Sequence, residues 1–416
     1  MKKVQGIKID PVKFPWERKT IDTKGSRSFI GLFSGCGGLD LGAMYAGFQP
    51  VWAVDSDAKA VEAYSANLDS CIECADLTKV DTPHSLSDVD LVVGGPPCQG
   101  FSSAGSKDKG DSRNKLWKAY LKVLETLRPK AFLIENVPNF AREFPHFLAA
   151  MESSACQTYA IDAKRLVAQY YGVPQFRDRM FVIGVRRDIT QNIVWPEPDE
   201  PEVYNYTYQG QALTTIQDAL QDLGPPIGDA QATCSISDHV CVPLNGQDAN
   251  IATHIPSGGS LKNIPDKHLP SPYKNRIRTA KGWTWFYRKP RPNLPGRTVL
   301  ASIRPNYATV LAPDVEYFKK DGVWQWDPID TKAYTAPDGL YTSPVNPRRL
   351  SIRECARLQT FPDWFKFSGK PLEQHRQIGN AVPVELGRRL SLAIMDMLEG
   401  RAQEPTQKLL FGSISN

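Results

Sequence analysis

Between Ser28 and Arg187 the chain alternates short apolar runs with stretches of helical spacing, and this alternation constrains the fold more than any other feature. The runs Phe29 to Phe33, Val51 to Val54, Leu91 to Val93 and Ala131 to Ile134 have the length and apolar content of strands buried on both faces. Between them, Ala58 to Leu68 and Leu116 to Leu127 repeat apolar residues at helical spacing. The pattern predicts an α/β fold, a doubly wound and mostly parallel sheet, with a further pair of strands at Tyr159 to Val167 and Arg179 to Val185. The alternation then stops. From 188 to 346 prolines are dense and helical periodicity returns only at Thr215 to Leu223, which predicts a smaller, loop-rich domain inserted into the first. Ser351 to Gln359 and Val384 to Leu398 are again helical. The expected division is an N-terminal extension at 1–27, the first part of the α/β domain at 28–187, the insert at 188–346, a return segment completing the α/β domain at 347–400, and a tail at 401–416.

A chain of 416 residues can bury a substantial core in two or three domains. No apolar run approaches the roughly 18 residues a membrane span needs, and Met1 to Asp10 lacks the apolar stretch of a signal peptide, so a soluble cytoplasmic protein is expected. Eight irregularly spaced cysteines are too few for a disulfide scaffold, and reduced thiols are expected.

Charge is segregated along the chain. Asp188 to Leu261 holds ten acidic residues and no Lys or Arg, whereas Lys262 to Arg304 holds eleven Lys or Arg against the single acid Asp266. The second stretch nets ten positive charges, although the whole chain carries only +5, and Tyr273, Trp283, Trp285, Phe286 and Tyr287 are interleaved with it. Cations mixed with flat side chains suit a surface that touches phosphates and bases. The acidic half would be repelled by phosphates, so it is expected to form a hinge and outer body.

The chemistry-bearing residues fall at predicted strand ends. Phe33-Ser-Gly-Cys-Gly-Gly38 follows the first strand and opens a helix, a turn in which Gly35, Gly37 and Gly38 allow positive φ and close approach of a ligand. It is not a dinucleotide fingerprint, because Asp40 stands where the last glycine of that pattern belongs. Asp55 ends the second strand 20 positions after Gly35, where it would accept hydrogen bonds from a ribose. Gly94-Gly-Pro-Pro-Cys-Gln-Gly-Phe-Ser102 puts Cys98 just past another strand end, with prolines stiffening the approach and glycines admitting a substrate. A nucleophilic thiolate there needs local help, since an ordinary cysteine ionises only near pH 8.5. Glu135 follows the strand Ala131 to Ile134 and would face Cys98; partial burial would raise its pKa and let it donate a proton. Gln175-Phe-Arg-Asp-Arg179 supplies two cations, Arg177 and Arg179, to polarise an oxygen or fix Glu135. Cys71-x-x-Cys74 has no second pair at metal spacing, and no metal is expected.

In this order the motifs resemble the cytosine-5 DNA methyltransferases, particularly the bacterial modification enzymes. The resemblance spans Phe29 to about Arg187 and about Arg348 to Leu390. It includes Pro-Pro-Cys-Gln, Glu-Asn-Val, Gln-x-Arg-x-Arg, Arg353-Glu-Cys-Ala-Arg-Leu-Gln359 and Gln377-Ile-Gly-Asn-Ala-Val-Pro383. One departure is Gly31, where the family commonly has an acid. The resemblance implies a Rossmann-like fold binding S-adenosylmethionine, with Phe33 against the adenine region, Asp55 on the ribose, Asp76 near the adenine amine, and Pro97, Leu116, Asn380 and Val382 completing the pocket. It implies a duplex DNA substrate whose target base is flipped out, Cys98 as nucleophile, and Glu135, Arg177 and Arg179 as its helpers. Gln99, Ser102, Arg276, Arg278, Lys281 and Arg297 are the expected DNA contacts, and the insert becomes the target recognition domain. A monomer, and a restriction endonuclease sharing the target site, are expected as well.

Three other readings stay open on the residues alone. A tRNA methyltransferase of the same fold has less use for so large an insert. A nicotinamide oxidoreductase explains the sheet and Asp55 but not Pro-Pro-Cys-Gln. A catalytically silent DNA-binding regulator has no need of Cys98 with Glu135.

Overall fold

The computed structural model describes residues 27–86, 88–97, 116–142, 144–152, 154, 157–199, 213–226, 236–244, 246–271, 274, 287–301 and 311–401. The α/β part is built from strands β1 (Arg27–Leu32), β2 (Phe48–Asp55), β3 (Ile72–Cys74), β4 (Leu91–Gly94), β5 (Ala131–Asn136), β6 (Tyr159–Val167), β7 (Gln175–Phe176) and β8 (Asp178–Arg186). All but β7 join one seven-stranded sheet in the order β3-β2-β1-β4-β5-β8-β6. The pairs β1 with β2, β2 with β3, β1 with β4 and β4 with β5 are parallel, while β8 runs antiparallel to both β5 and β6. The sheet is thus α/β and mostly parallel, as expected. The chain leaves β1 toward β2 and β3 on one side and later builds β4 and β5 on the other. The switch point therefore lies between β1 and β4, where open α/β sheets bind ligands.

Side chains alternate across the pleat to make two cores. In β1, Phe29 faces a core shared with α1 (Gly38–Tyr45) and the last helix, α9 (Val384–Leu398), through Leu39, Ala43, Leu386, Leu390 and Ile394. Ile30 and Leu32 face the other core, filled by Tyr120, Leu121 and Leu124 of α3 (Leu116–Leu127) and by Phe147 and Met151 of α4 (Phe144–Glu152). Burying one such aliphatic side chain contributes about 1.5–3 kcal/mol, so an uninterrupted apolar run is the sequence mark of a strand buried on both faces. Helix α2 (Ala58–Asn67) is capped by the Asp57 side chain, which accepts from the Lys59 and Ala60 amides.

Three helices depart from the sequence expectation: α4, α8 (Pro371–Asn380) and a helix at Gly246–Thr253 in the insert. Helices α4 and α8 carry proline in their first turn, where its missing N–H costs nothing and its fixed φ suits a helix start. A proline read as a breaker hides the helix it begins.

The segment 188–346 contributes to three cores. Val194 and Trp195 pack in the core below α9. Helix α5 (Ile216–Leu220), Val299 and the hairpin β10 (Val315–Lys320) to β11 (Val323–Pro328) pack against α7 (Ile352–Leu358) through Ala219, Leu220, Trp326, Cys355 and Leu358. A smaller core of its own gathers Ile251 and Ala252 of α6 (Gly246–Thr253) with Ile255, Leu261, Ile264, Leu269, Tyr287 and Leu311. Beside it Lys289 donates to Asp314 at 2.6 Å with both side chains buried, and Tyr341 and Ser343 donate to the same carboxylate. The expectation of an outer body for the acidic half is corrected. Asp199 pairs with Arg389, Asp222 with Arg357, Asp238 with Arg353, and Asp248 lies 3.9 Å from Arg349. These four acids meet buried arginines of the return segment, although Asp199 and Asp222 are themselves exposed.

Among the described residues, no helix is long and apolar enough to cross a membrane.

Candidate active site and cofactor pocket

The three glycines of the first turn do different work. Gly35 has φ +56° and an ideal Cβ on it would meet nothing within 4 Å, so the turn opens there onto space a ligand can fill. Gly37 caps α1 at φ +93°, with Leu68 and Tyr64 too close to admit a side chain. Gly38 is required by packing: its Cβ would lie 2.5 Å from the Val382 carbonyl oxygen. The return segment therefore rests on the backbone of the turn, and Val382 is buried there while Asn380 stays exposed at the end of α8.

Asp55 organises this turn before any ligand arrives. One carboxylate oxygen accepts from the Gly35 amide at 2.7 Å and the other from the Asp57 amide at 2.8 Å. Burial pushes its pKa up, against those hydrogen bonds. Phe33 takes a positive φ of 54°, strained for a residue with a side chain, and its half-buried ring packs on the α3 side of the sheet. Asp76 accepts from the Thr78 amide and hydroxyl and pairs with Lys79 at 3.3 Å, interactions that hold its pKa down. Leu116, half-buried, opens α3. The open concavity at Gly35, the acid at the end of β2 and the exposed Asn380 amide fit an adenosine-bearing ligand; the turn has no lysine to grip a pyrophosphate.

Across the switch point, Gly95, Pro96 and Pro97 leave β4 toward Cys98. A Cβ at Gly95 would lie 3.1 Å from Glu135 Oε2, and Asn136 Nδ2 donates to the Pro96 carbonyl at 3.1 Å. The Asn136 hydrogen bond ties the Pro-Pro approach to the end of β5, and glycine at 95 leaves room for the Glu135 carboxylate beside it, with Pro96 buried and Pro97 exposed. Arg179 Nε reaches Glu135 Oε1 at 2.9 Å, so the carboxylate is already held by a cation. Cys98, Gln99 and Ser102 lie outside the described residues, as do Arg276, Arg278 and Lys281.

Arg177 is placed differently from its neighbour. Only 2% exposed, it donates to the carbonyls of Val299 at 3.2 Å and Gly379 at 3.1 Å. At Gly379 a Cβ would sit 2.3 Å from the Leu300 carbonyl carbon, so insert and return segment touch there backbone to backbone. Arg177 thereby ties strand, insert and return together. Sequence reasoning quoted Gln175 and Gln359 without giving them work. Gln175, fully buried, accepts from the Val299 amide at 2.6 Å and donates to Leu358 O and Gln359 Oε1, and Gln359 donates on to Ile378 O and Ala381 O. Arg297, in the two-residue strand β9 (Gly296–Arg297), pairs in parallel with β7 and is half-buried.

Among the described residues no group of His, Cys, Asp and Glu could hold a metal ion. Cys71 precedes the extended β3 and Cys74 ends it, so the three steps between them span about 10 Å, beyond the roughly 7 Å reach of a disulfide.

The sheet order, the glycine turn and acid on one side of the switch point, and the proline-stiffened loop with its carboxylate on the other define a methyltransferase of Rossmann-like build. The model of the C-5 cytosine-specific DNA methylase family matches residues 27–396, and the chain belongs to that family. It transfers a methyl group from S-adenosylmethionine to carbon 5 of cytosine in DNA. It is similar to the Type II methyltransferase M.XorII of Xanthomonas oryzae, 31% identical over 93% of this chain and 88% of that protein. Against the Type II methyltransferase M.NgoFVII of Neisseria gonorrhoeae the identity is 30%, over 89% and 88%. Among solved structures, a prophage-encoded Escherichia coli protein described as a DNA modification methyltransferase superposes with a TM-score of 0.56 at 25% identity, covering 90% of this chain and all of that one.

Proposed function

We propose that this methyltransferase is the sequence-specific modification enzyme of a Type II restriction system, working as a cytoplasmic monomer, with Cys98 as its nucleophile. The observations that carry the site are the hydrogen bond from Asn136 to Pro96 and the absence of a side chain at Gly95, which leaves room for the Glu135 carboxylate beside the Cys98 approach. They bring a carboxyl and the approach to the thiol into one crevice at the switch point. Carbon 5 of cytosine is a poor nucleophile until a thiolate adds to carbon 6, and Cys98 supplies that thiolate. Glu135 holds the proton at ring nitrogen 3, and Arg179 fixes Glu135 while facing the carbonyl oxygen. Arg177 acts as a positioning residue through Val299 and Gly379. Bound S-adenosylmethionine supplies an electrophilic methyl group. A base then takes the carbon 5 proton, the electron pair of that carbon–hydrogen bond restores the ring double bond, and Cys98 leaves as a thiolate with the carbon–sulfur pair. Phe33, Asp55, Asp76, Leu116, Asn380 and Val382 form the cofactor pocket, and residues 188–346 with Arg276, Arg278, Lys281 and Arg297 read the DNA. Similarity to Type II methyltransferases supports the restriction assignment.

Replacing Cys98 by Ser should abolish methylation while leaving DNA and cofactor binding within a few fold, because a hydroxyl is far harder to ionise. DNA carrying 5-fluorocytosine should trap the native enzyme covalently through Cys98. Near-normal methylation by the Ser variant, or an adduct mapped to Cys36 or Cys355, would overturn the nucleophile. Bisulfite sequencing of DNA from expressing cells tests the reaction itself.

A further inference from the structure

Gly31 lies in β1 on the face covered by α1, and an ideal Cβ there would sit 2.0 Å from Asp40 Oδ1 and 2.3 Å from Ser34 Oγ. The space a side chain from the strand would fill is taken by a carboxyl delivered from the helix. Asp40 is 1% exposed and accepts from Ser34 Oγ at 2.9 Å and from Tyr64 OH at 3.3 Å. Ser34 opens the glycine turn: its amide donates to Val54 O and its carbonyl accepts from the Gly37 amide. Asp40 thus sets the side chain of the residue from which the turn departs.

The charge around the turn is unbalanced. Asp57 pairs with Arg376 at 2.9 Å, but among the described residues neither Asp40 nor Asp55 has a Lys or Arg within ion-pair distance. Burial pushes Asp40 up to about 7 and raises Asp55 as well. Keeping unpaired buried carboxylates costs stability unless something else supplies the positive charge. The methyl donor carries a sulfonium and an ammonium. When the carbon–sulfur bond breaks, its electron pair stays on sulfur, so the product keeps a neutral thioether and is one positive charge poorer.

We infer that Asp40 is a positioning residue that fixes the glycine turn through Ser34, and that with Asp55 it makes the pocket prefer the cationic donor over the spent product. The inference rests on reading that turn as the cofactor pocket.

Isothermal titration of the full chain with S-adenosylmethionine and with S-adenosylhomocysteine tests it. Asp40→Asn preserves shape and removes the charge. At pH 8.5, above the value of about 7 to which burial pushes Asp40, it should weaken the donor about tenfold and the product less than twofold, the scale of one unit charge acting across a partly buried site. Asp40→Ala, which also frees Ser34, should weaken both. Equal loss of donor and product in Asp40→Asn, or no loss of either, overturns the inference. Should Asp40→Asn fail to fold, the swap Gly31→Asp/Asp40→Ser decides, because it returns one carboxyl to the same space. A folded swap that prefers the donor supports the inference, whereas a swap that is unfolded or indifferent overturns it. If the native chain binds neither compound, the pocket reading itself has failed.

Discussion

The two halves of the insert carry opposite charge and spend it in opposite directions. In the acidic half, Asp199, Asp222, Asp238 and Asp248 meet Arg389, Arg357, Arg353 and Arg349, all from the return segment and all buried. In the basic half Lys289 is consumed by Asp314 and Lys267 by Asp338, while Lys262 and Arg291 stand exposed. A run of one charge sign therefore says little about where it goes. These four acids act as counterions to buried arginines and stitch insert to return, from surroundings that range from the buried Asp248 to the exposed Asp222. Among the described residues, Lys262 and Arg291 are exposed cations of that half with the charge to meet a polyanion.

The comparison breaks most visibly in a graft. Moving residues 188–346 into a related methyltransferase strips the four acids from their arginines, whereas moving 188–390 keeps the pairs. The longer graft should fold and carry the methylated site with it; the shorter should yield little soluble enzyme. Equal yields of active protein, judged by bisulfite sequencing, would show the pairs to be dispensable.

One pair at a time, Arg389→Met leaves Glu385, fully buried, and Asp199 without that cation. Removing one partner of a buried pair costs about 3–5 kcal/mol, and urea denaturation should register it. The matching neutralisation Asp222→Asn, at a half-exposed carboxylate, should cost about 1 kcal/mol or less.

The return segment also carries a pH signature. His375 on α8 is buried, and burial followed by the nearby Arg349 depresses its pKa to about 4 from an ordinary 6.5. The unfolded chain therefore binds the proton first. Stability from this group is complete above pH 6.5 and falls as pH drops toward 4, by about 3 kcal/mol in all. His239, also lowered by burial, adds in the same direction. His375→Gln should flatten the decline measured by thermal melts across that window.

The smallest effect belongs to the basic half. Neutralising Arg276, Arg278 and Lys281 together should reduce the slope of log DNA affinity against log salt by about 2.7, at about 0.9 per phosphate contact. Cofactor affinity should not change. Asp222→Asn should leave the slope alone, and a slope insensitive to the three cations would move the DNA elsewhere.

The sheet was legible because strands buried on both faces must be apolar throughout, and the motifs were legible because glycine, proline and a carboxylate at strand ends answer to local backbone demands. The strand pair Tyr159 to Val167 and Arg179 to Val185 was readable too, although β6 carries Asp162, Lys164 and Arg165 and is buried only toward its ends, and β8 begins one residue earlier, at Asp178.

Asp40 gave no local sign. In sequence it is only the wrong residue for a dinucleotide fingerprint, and its place in the space beside Gly31 exists only once α1 lies against β1. The same holds for Arg177 and Arg179, two residues apart and alike in charge: β8 aims one at Glu135, while the other turns to backbone carbonyls of two distant segments. Composition and periodicity set the sheet and its strand ends because those depend on neighbours in the chain. The partner of each buried charge was decided by tertiary packing, because a desolvated ion must find its counterpart wherever the fold brings one near.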